Sequence, residues 1–119
     1  GCCETHKTAD IAYAIGSYCR QTGDMGFLLD CGCEILVQTA RYWTDRFNYC
    51  PGEDKYHLLF VKGPDEYCGV TTDDFYSVRM AAHNLRLAAE AKKSEHLFIF
   101  LSFPSVLLTE VILYAIITL

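Results

Sequence analysis

Apolar and polar positions divide the chain into three stretches of helical period, one irregular stretch and an apolar end. Between residues 7 and 21, apolar side chains recur at Ile11, Ala14, Ile15, Tyr18 and Cys19. These steps place them on one helical face. Thr22-Gly23-Asp24 closes that helix. Gly23 suits a left-handed terminal residue, and Asp24 can accept the first backbone N–H groups of the next helix. The second helix is expected over 25–47, with Phe27, Leu28, Cys31, Ile35, Leu36, Val37, Ala40 and Trp43 as a wide apolar stripe. A short connection between two such helices predicts antiparallel neighbours.

Residues 48–73 lose the period. Asn48, Pro51-Gly52, Gly63-Pro64 and Gly69 punctuate a long loop, and the apolar run Tyr56–Val61 predicts a short extended segment inside it. A loop this long in a compact chain is usually functional. A third helix is expected from Thr72 or Asp73, either of which could cap it, to about residue 93. Its face is read as Phe75, Val78, Ala82, Leu85 and Ala89. The fold class is therefore all-α: antiparallel helical hairpins with one long loop.

The end of the chain, 97–119, is almost wholly apolar and as a helix would reach roughly 35 Å. That length could cross a bilayer, but Pro104 and Glu110 argue against it, since a central acidic residue costs about 2.5–3.5 kcal/mol on insertion scales. A core helix and a foreign or frameshifted tail are the other readings of this segment.

Composition narrows the function classes. Of the 119 residues, 51% are hydrophobic and 21% charged, which excludes a disordered chain. A net charge of −5 without a basic stripe excludes the usual nucleic-acid surface. The seven cysteines are an odd count, which argues against a closed disulfide framework and for reduced thiols, most of them buried in helices as small hydrophobes. Neither Cys2-Cys3 nor Cys31-Gly32-Cys33 has the spacing of common zinc sites, so no metal is expected. Trp43 reads as core; His57 and His83 read as structural or exposed.

Three motifs stand in order. The first is Glu4-Thr5-His6-Lys7-Thr8-Ala9-Asp10-Ile11-Ala12-Tyr13-Ala14. The second runs through Tyr18, Thr22-Gly23-Asp24, Phe27-Leu28, Gly32, Glu34-Ile35-Leu36, Thr39-Ala40-Arg41-Tyr42-Trp43 and Arg46. The third is Gly63-Pro64-Asp65-Glu66-Tyr67, followed by Tyr76, Met80-Ala81 and Asn84-Leu85. Together, over residues 4–90, they resemble glycoside hydrolase family 65. Tyr42 replaces the family's usual Phe, Cys68 its His, Thr72-Asp73 an Asn pair, and Val78 an Asn. The resemblance implies that residues 1–93 are part of a catalytic (α/α)6 barrel, with 94–119 an apolar tail lacking the family pattern.

It also implies chemistry. Most members are inverting phosphorylases that split an α-linked glucose disaccharide with inorganic phosphate, need no other cofactor, and release β-glucose 1-phosphate; a few are hydrolases. Glu4 would be the general acid. His6 would bond the substrate or hold the loop, and Asp65, Glu66 and Tyr67 would shape the sugar pocket. A general acid must carry its proton at working pH, so burial or anionic neighbours would have to raise Glu4. On spacing alone, Glu4 is a helix N-terminal carboxylate, and Asp65 and Glu66 are solvated acids of a Pro-initiated turn. The family's upstream Trp-Asp segment and its downstream phosphate-binding Ser and His are absent, and the chain starts at Gly1 without Met. A cytoplasmic fragment without turnover of its own is therefore expected. The competing class is a small helical interaction module, tethered to a membrane through 97–119.

Overall fold

The computed structural model describes residues 3–98, with side-chain environments to residue 93. Helix α1 spans His6–Thr22. It stops where Gly23 adopts φ 68° and its N–H bonds the Cys19 carbonyl at 2.9 Å, a left-handed cap that a side chain would strain. Asp24 then accepts the Phe27 N–H at 2.9 Å and opens a short helix α2, Met25–Phe27. A wider π-type turn, Leu28–Gly32, joins α2 to α3, Cys33–Arg46. The single helix expected over 25–47 is thus interrupted by a π-bulge, the single-turn form in which π-helix occurs inside α-helices. Gly32 lies at the bulge, where a Cβ would sit 3.2 Å from the Leu28 side chain and 3.5 Å from that of Ile15.

The long connection contains a small antiparallel hairpin, β1 (Asn48–Cys50) with β2 (Lys55–His57), in which Tyr49 faces Tyr56. The extended segment expected at Tyr56–Val61 is therefore shorter and begins earlier. Beyond it, Leu58 and Val61 turn fully inward, and Val61 exchanges backbone bonds with Thr71 at 3.0 and 2.8 Å. Phe60 between them holds φ 52°, an uncommon conformation for a bulky residue, while Arg46 Nη2 bonds the Leu59 carbonyl at 2.8 Å.

Helix α4 spans Phe75–Phe98. Its cap is Asp74, whose Oδ2 accepts from the Ser77 N–H and hydroxyl, both at 2.8 Å. Neither Thr72 nor Asp73 caps it, because Asp73 (φ 56°) turns its carboxylate back to Leu58 N–H and His57.

The direction of the helices follows from their contacts. Asp10 meets Tyr76, Tyr13 meets His83, and Gly16 meets Leu87. The numbers rise together, so α1 and α4 run parallel. Helix α3 returns between them: its start packs by Ile15 and its end lies by Leu59, beside the loop that bonds His6. It is antiparallel to both. An antiparallel hairpin followed by a helix parallel to the first is an all-α arrangement compatible with a piece of a helical barrel.

The core is Ala9, Ala12 and Ile15 of α1, Cys33, Leu36, Ala40 and Trp43 of α3, Leu58 and Val61 of the connection, and Ala81, Leu85, Ala88 and Ala91 of α4. Trp43 is fully buried, as expected. Its Nε1–H donates to Asn84 Oδ1 at 3.1 Å, and Asn84 Nδ2 donates to the Leu36 carbonyl at 3.3 Å. Two expected faces differ. Ile11 and Tyr18 lie exposed, as does Phe75. The α1–α4 seam is lined instead by small residues, since a Cβ on Gly16 would come within 2.8 Å of Leu87.

The cysteines among the described residues are free, but only Cys33 is buried; Cys68 is exposed and the rest are intermediate. Among the described residues no helix is long and apolar enough to cross a membrane and no group of His, Cys, Asp and Glu could hold a metal. The apolar stretch 97–119 falls, after Phe98, outside the described residues.

Candidate functional site

Because α1 and α4 are parallel, their N-terminal ends open on the same side of the fold, and the loop between Leu58 and Asp74 crosses that end. All of the site residues expected from the sequence collect there. Glu4 lies just before α1, with its side chain 23% exposed. Its Oε2 accepts from Lys7 Nζ at 2.5 Å. This hydrogen bond is the largest of the influences, the Lys7 charge among them, that draw the carboxyl down to about 2 from an ordinary 4.5. In this chain Glu4 is therefore an ionised carboxylate near neutrality, as a helix N-terminal acid would be.

His6 is buried, 6% exposed. Its Nδ1 donates to the Lys62 carbonyl at 3.2 Å, its ring meets Tyr76 edge-on at 5.7 Å, and its Nε2 lies 4.0 Å from Asp10 Oδ2. Tyr76 in turn donates its hydroxyl to Asp10 Oδ1 at 2.8 Å. His6 thus ties the start of α1 to the loop at Lys62.

Lys62 connects both halves of the site. Its N–H bonds the Cys3 carbonyl at 2.9 Å, its own carbonyl takes His6, and its Nζ donates to the Glu66 carbonyl at 2.9 Å. One residue thus brackets Glu4 from Cys3 and His6 and reaches into the Gly63–Tyr67 turn. Gly63 is required by space: a Cβ there would come within 2.7 Å of Asp74 Oδ1.

Within the turn, Asp65 Oδ1 accepts from the Tyr67 N–H at 2.9 Å and Oδ2 from Cys68 Sγ at 3.2 Å. The Tyr67 N–H, then the Cys68 thiol, hold Asp65 below the usual carboxylate range, while Asp65 pushes the Cys68 thiol up. Asp65 is thereby engaged in shaping its own turn. Glu66 is exposed and Tyr67 stands 98% exposed, an aromatic face open to a ligand.

The sequence reading missed Lys7, Lys62, Asp10, Asp74 and Tyr76 as site residues. Asp10 had a signal, lying one turn after His6 on the same face. Lys7 stands three residues after Glu4, also within reach on a helix. Lys62 and Tyr76 act through a long-range contact that local spacing does not carry.

Residues 1–98 match the model of the glycosyl hydrolase family 65 central catalytic domain. The chain belongs to glycosyl hydrolase family 65. It is 42% identical over 91 residues to an alpha,alpha-trehalose phosphorylase of Geobacillus stearothermophilus, covering 76% of this chain and 12% of the relative. It is 41% identical over 87 residues to a kojibiose phosphorylase of Halothermothrix orenii, covering 73% of this chain and 11% of that one. A maltose phosphorylase of Bacillus subtilis is 32% identical over 91 residues, 76% of this chain and 12% of its own. The chain therefore spans about an eighth of the length of these family 65 relatives, and the family match runs through α1, α3, the Gly63–Tyr67 turn and α4.

Proposed function

We propose that this chain carries the general-acid segment of an inverting α-glucoside phosphorylase, with Glu4 the acid. The observation that carries the reading is the family match over a segment in which Glu4 is tied through Lys62 to the Gly63–Tyr67 turn. In an inverting phosphorolysis, a phosphate oxygen attacks the anomeric carbon from the β face as its bond to the leaving sugar breaks. One carboxylic acid then delivers its proton to the departing oxygen. Phosphate is already an anion, so no second carboxylate is needed to activate it, as an attacking water would require in hydrolysis. The products are β-glucose 1-phosphate and a free sugar.

Glu4 is ionised in the chain as it stands. Sugar packed over it would remove water, and a phosphate anion would add negative potential; both raise a carboxyl. In the reverse direction the ionised form is the useful one, since it accepts the proton of the attacking sugar hydroxyl. Asp65, Glu66 and Tyr67 form the pocket wall, with Tyr67 offering a ring face to the sugar, and His6 holds that wall in place. The chain alone is a cytoplasmic piece without turnover, because the phosphate-binding groups of the family are supplied from elsewhere.

The test grafts residues 1–98 in place of the matching segment of the G. stearothermophilus relative and measures β-glucose 1-phosphate release. Glu4→Gln should cut release from a disaccharide roughly 10²–10⁴-fold, the range for a lost general acid. With α-glucosyl fluoride, whose leaving group needs no proton, the variant should keep most of its rate. Equal losses on both substrates, or none on either, would refute Glu4 as the acid.

A further inference from the structure

A neutral imidazole has one ring proton, and two acceptors stand near that of His6. The Lys62 carbonyl is 3.2 Å from Nδ1; a carbonyl can only accept, so Nδ1 carries the proton. Asp10 Oδ2 is 4.0 Å from Nε2, outside hydrogen-bond range. A carboxylate is the stronger acceptor of the two, yet the proton on Nδ1 is donated to the carbonyl. What separates them is Tyr76. Its hydroxyl donates to the other Asp10 oxygen at 2.8 Å, and its ring lies edge-on to the imidazole at 5.7 Å. Asp10 is thereby held one step short of Nε2.

We propose that Tyr76 is a positioning residue: by tethering Asp10 it leaves the single His6 proton to the Lys62 carbonyl, which fixes the chain bearing Glu4 against the Gly63–Tyr67 turn. The catalytic consequence rests on Glu4 being the acid; the tether does not. Without the Tyr76 hydroxyl, Asp10 is free to approach Nε2. The proton then leaves Nδ1 and returns through solvent on Nε2, and the Lys62 carbonyl loses its donor. The acid and the pocket wall are no longer held in one register.

The experiment is long-range proton–nitrogen NMR of the imidazoles in the ¹⁵N-labelled 119-residue chain, at about pH 9, where an ordinary histidine is neutral. A His6→Gln variant assigns the signal. Wild type should show the proton on Nδ1, the less common tautomer. Tyr76→Phe, which keeps the ring, should move it to Nε2 and speed amide exchange at Lys62 about tenfold. Adding Asp10→Ala to Tyr76→Phe should return the proton to Nδ1, since the competing acceptor is gone. A loss of packing alone would not give that reversal.

A wild-type proton on Nε2, or a Tyr76→Phe chain that keeps it on Nδ1, overturns the proposal. Should Tyr76→Phe not fold, Asp10→Glu, one methylene longer, poses the same competition. The shift to Nε2 is expected there, and persistence on Nδ1 refutes the tether. None of these signals depends on Glu4, so the fluoride comparison and the tautomer can fail separately.

Discussion

Asn84 is wholly buried between α3 and α4 and answers two polar groups at once: it accepts from Trp43 Nε1–H at 3.1 Å and donates to the Leu36 carbonyl at 3.3 Å. Asn84→Leu keeps the forked shape of the side chain but leaves the indole N–H without an acceptor, which costs about 1–3 kcal/mol in a dry site. The Leu36 carbonyl loses less, because the Thr39 hydroxyl also donates to it at 3.0 Å. A net loss of about 2 kcal/mol is expected, or a Tm drop of roughly 8–16 °C for a chain of this size. Trp43→Phe removes the donor and part of a packed ring and orphans Asn84 Oδ1, for about 2–4 kcal/mol. In the double variant neither orphan remains. The two losses should then fall short of their sum by about 1–2 kcal/mol, the scale of coupling for touching residues. Urea unfolding followed by far-UV circular dichroism gives all three values, since Trp43 is the only tryptophan and fluorescence vanishes with it. Strict additivity, or a loss under about 0.5 kcal/mol for Asn84→Leu, would show that this pair does not specify how α3 meets α4.

Lys7→Met should let the Glu4 carboxyl rise from about 2 toward 4.5, read as the ¹³C titration midpoint of that carboxyl; an unmoved midpoint would mean that Lys7 does not set it. His57 donates to Asp73 at 2.5 Å and is raised above its usual value by that bond. Its stabilising effect is therefore fully present below about pH 6.5 and is lost as pH climbs through the folded value. Asp73→Asn should remove most of this alkaline loss, leaving the smaller part due to Glu53. His83 has the opposite sign: burial first, then Arg20 and Arg86, lower it, so its neutral form stabilises above about pH 6.5 and stability falls on acidification below that. The Cε1 proton titrations should move apart accordingly, His57 above and His83 below a free histidine. Gly63→Ala should destabilise the chain by about 1–3 kcal/mol in urea melts, because its Cβ would press on the Asp74 carboxylate that caps α4.

The sequence announced its helices, the Gly23 and Asp24 signals between the first two, the core role of Trp43, and the family. Each is written in local periodicity or in a motif. The faces of α1 and α4 were not legible in the same way. A stripe reading favours large apolar residues, so it picked Ile11, Tyr18 and Phe75, which are exposed. The buried positions are Ala9, Ala12, Ala81 and Ala88, with half-buried Gly16 against Leu87, because the helices meet closely, and close approach selects for small side chains. The cap of α4 was placed one or two residues early for a similar reason. Thr72, Asp73 and Asp74 look equivalent in sequence, and only the long-range bonds from Asp73 to Leu58 and His57 leave Asp74 for the helix.

The same logic accounts for the state of Glu4. Parallel α1 and α4 bring two helix N-termini to one end of the fold, and each end carries a partial positive charge that favours nearby anions. Lys7 adds a full charge at 2.5 Å from the Glu4 carboxylate. Partial burial of Glu4 favours the protonated acid, but the Lys7 hydrogen bond and charge outweigh it and keep the carboxyl ionised. A carboxyl that must nonetheless deliver a proton would need its raising influence from what is bound over it: a sugar that excludes water and an anion that opposes the helix ends. On the proposed reading of Glu4, the acid would therefore be armed by its substrates. On the same reading, the register between Glu4 and the Gly63–Tyr67 turn, held at Lys62, would set whether both reach it together.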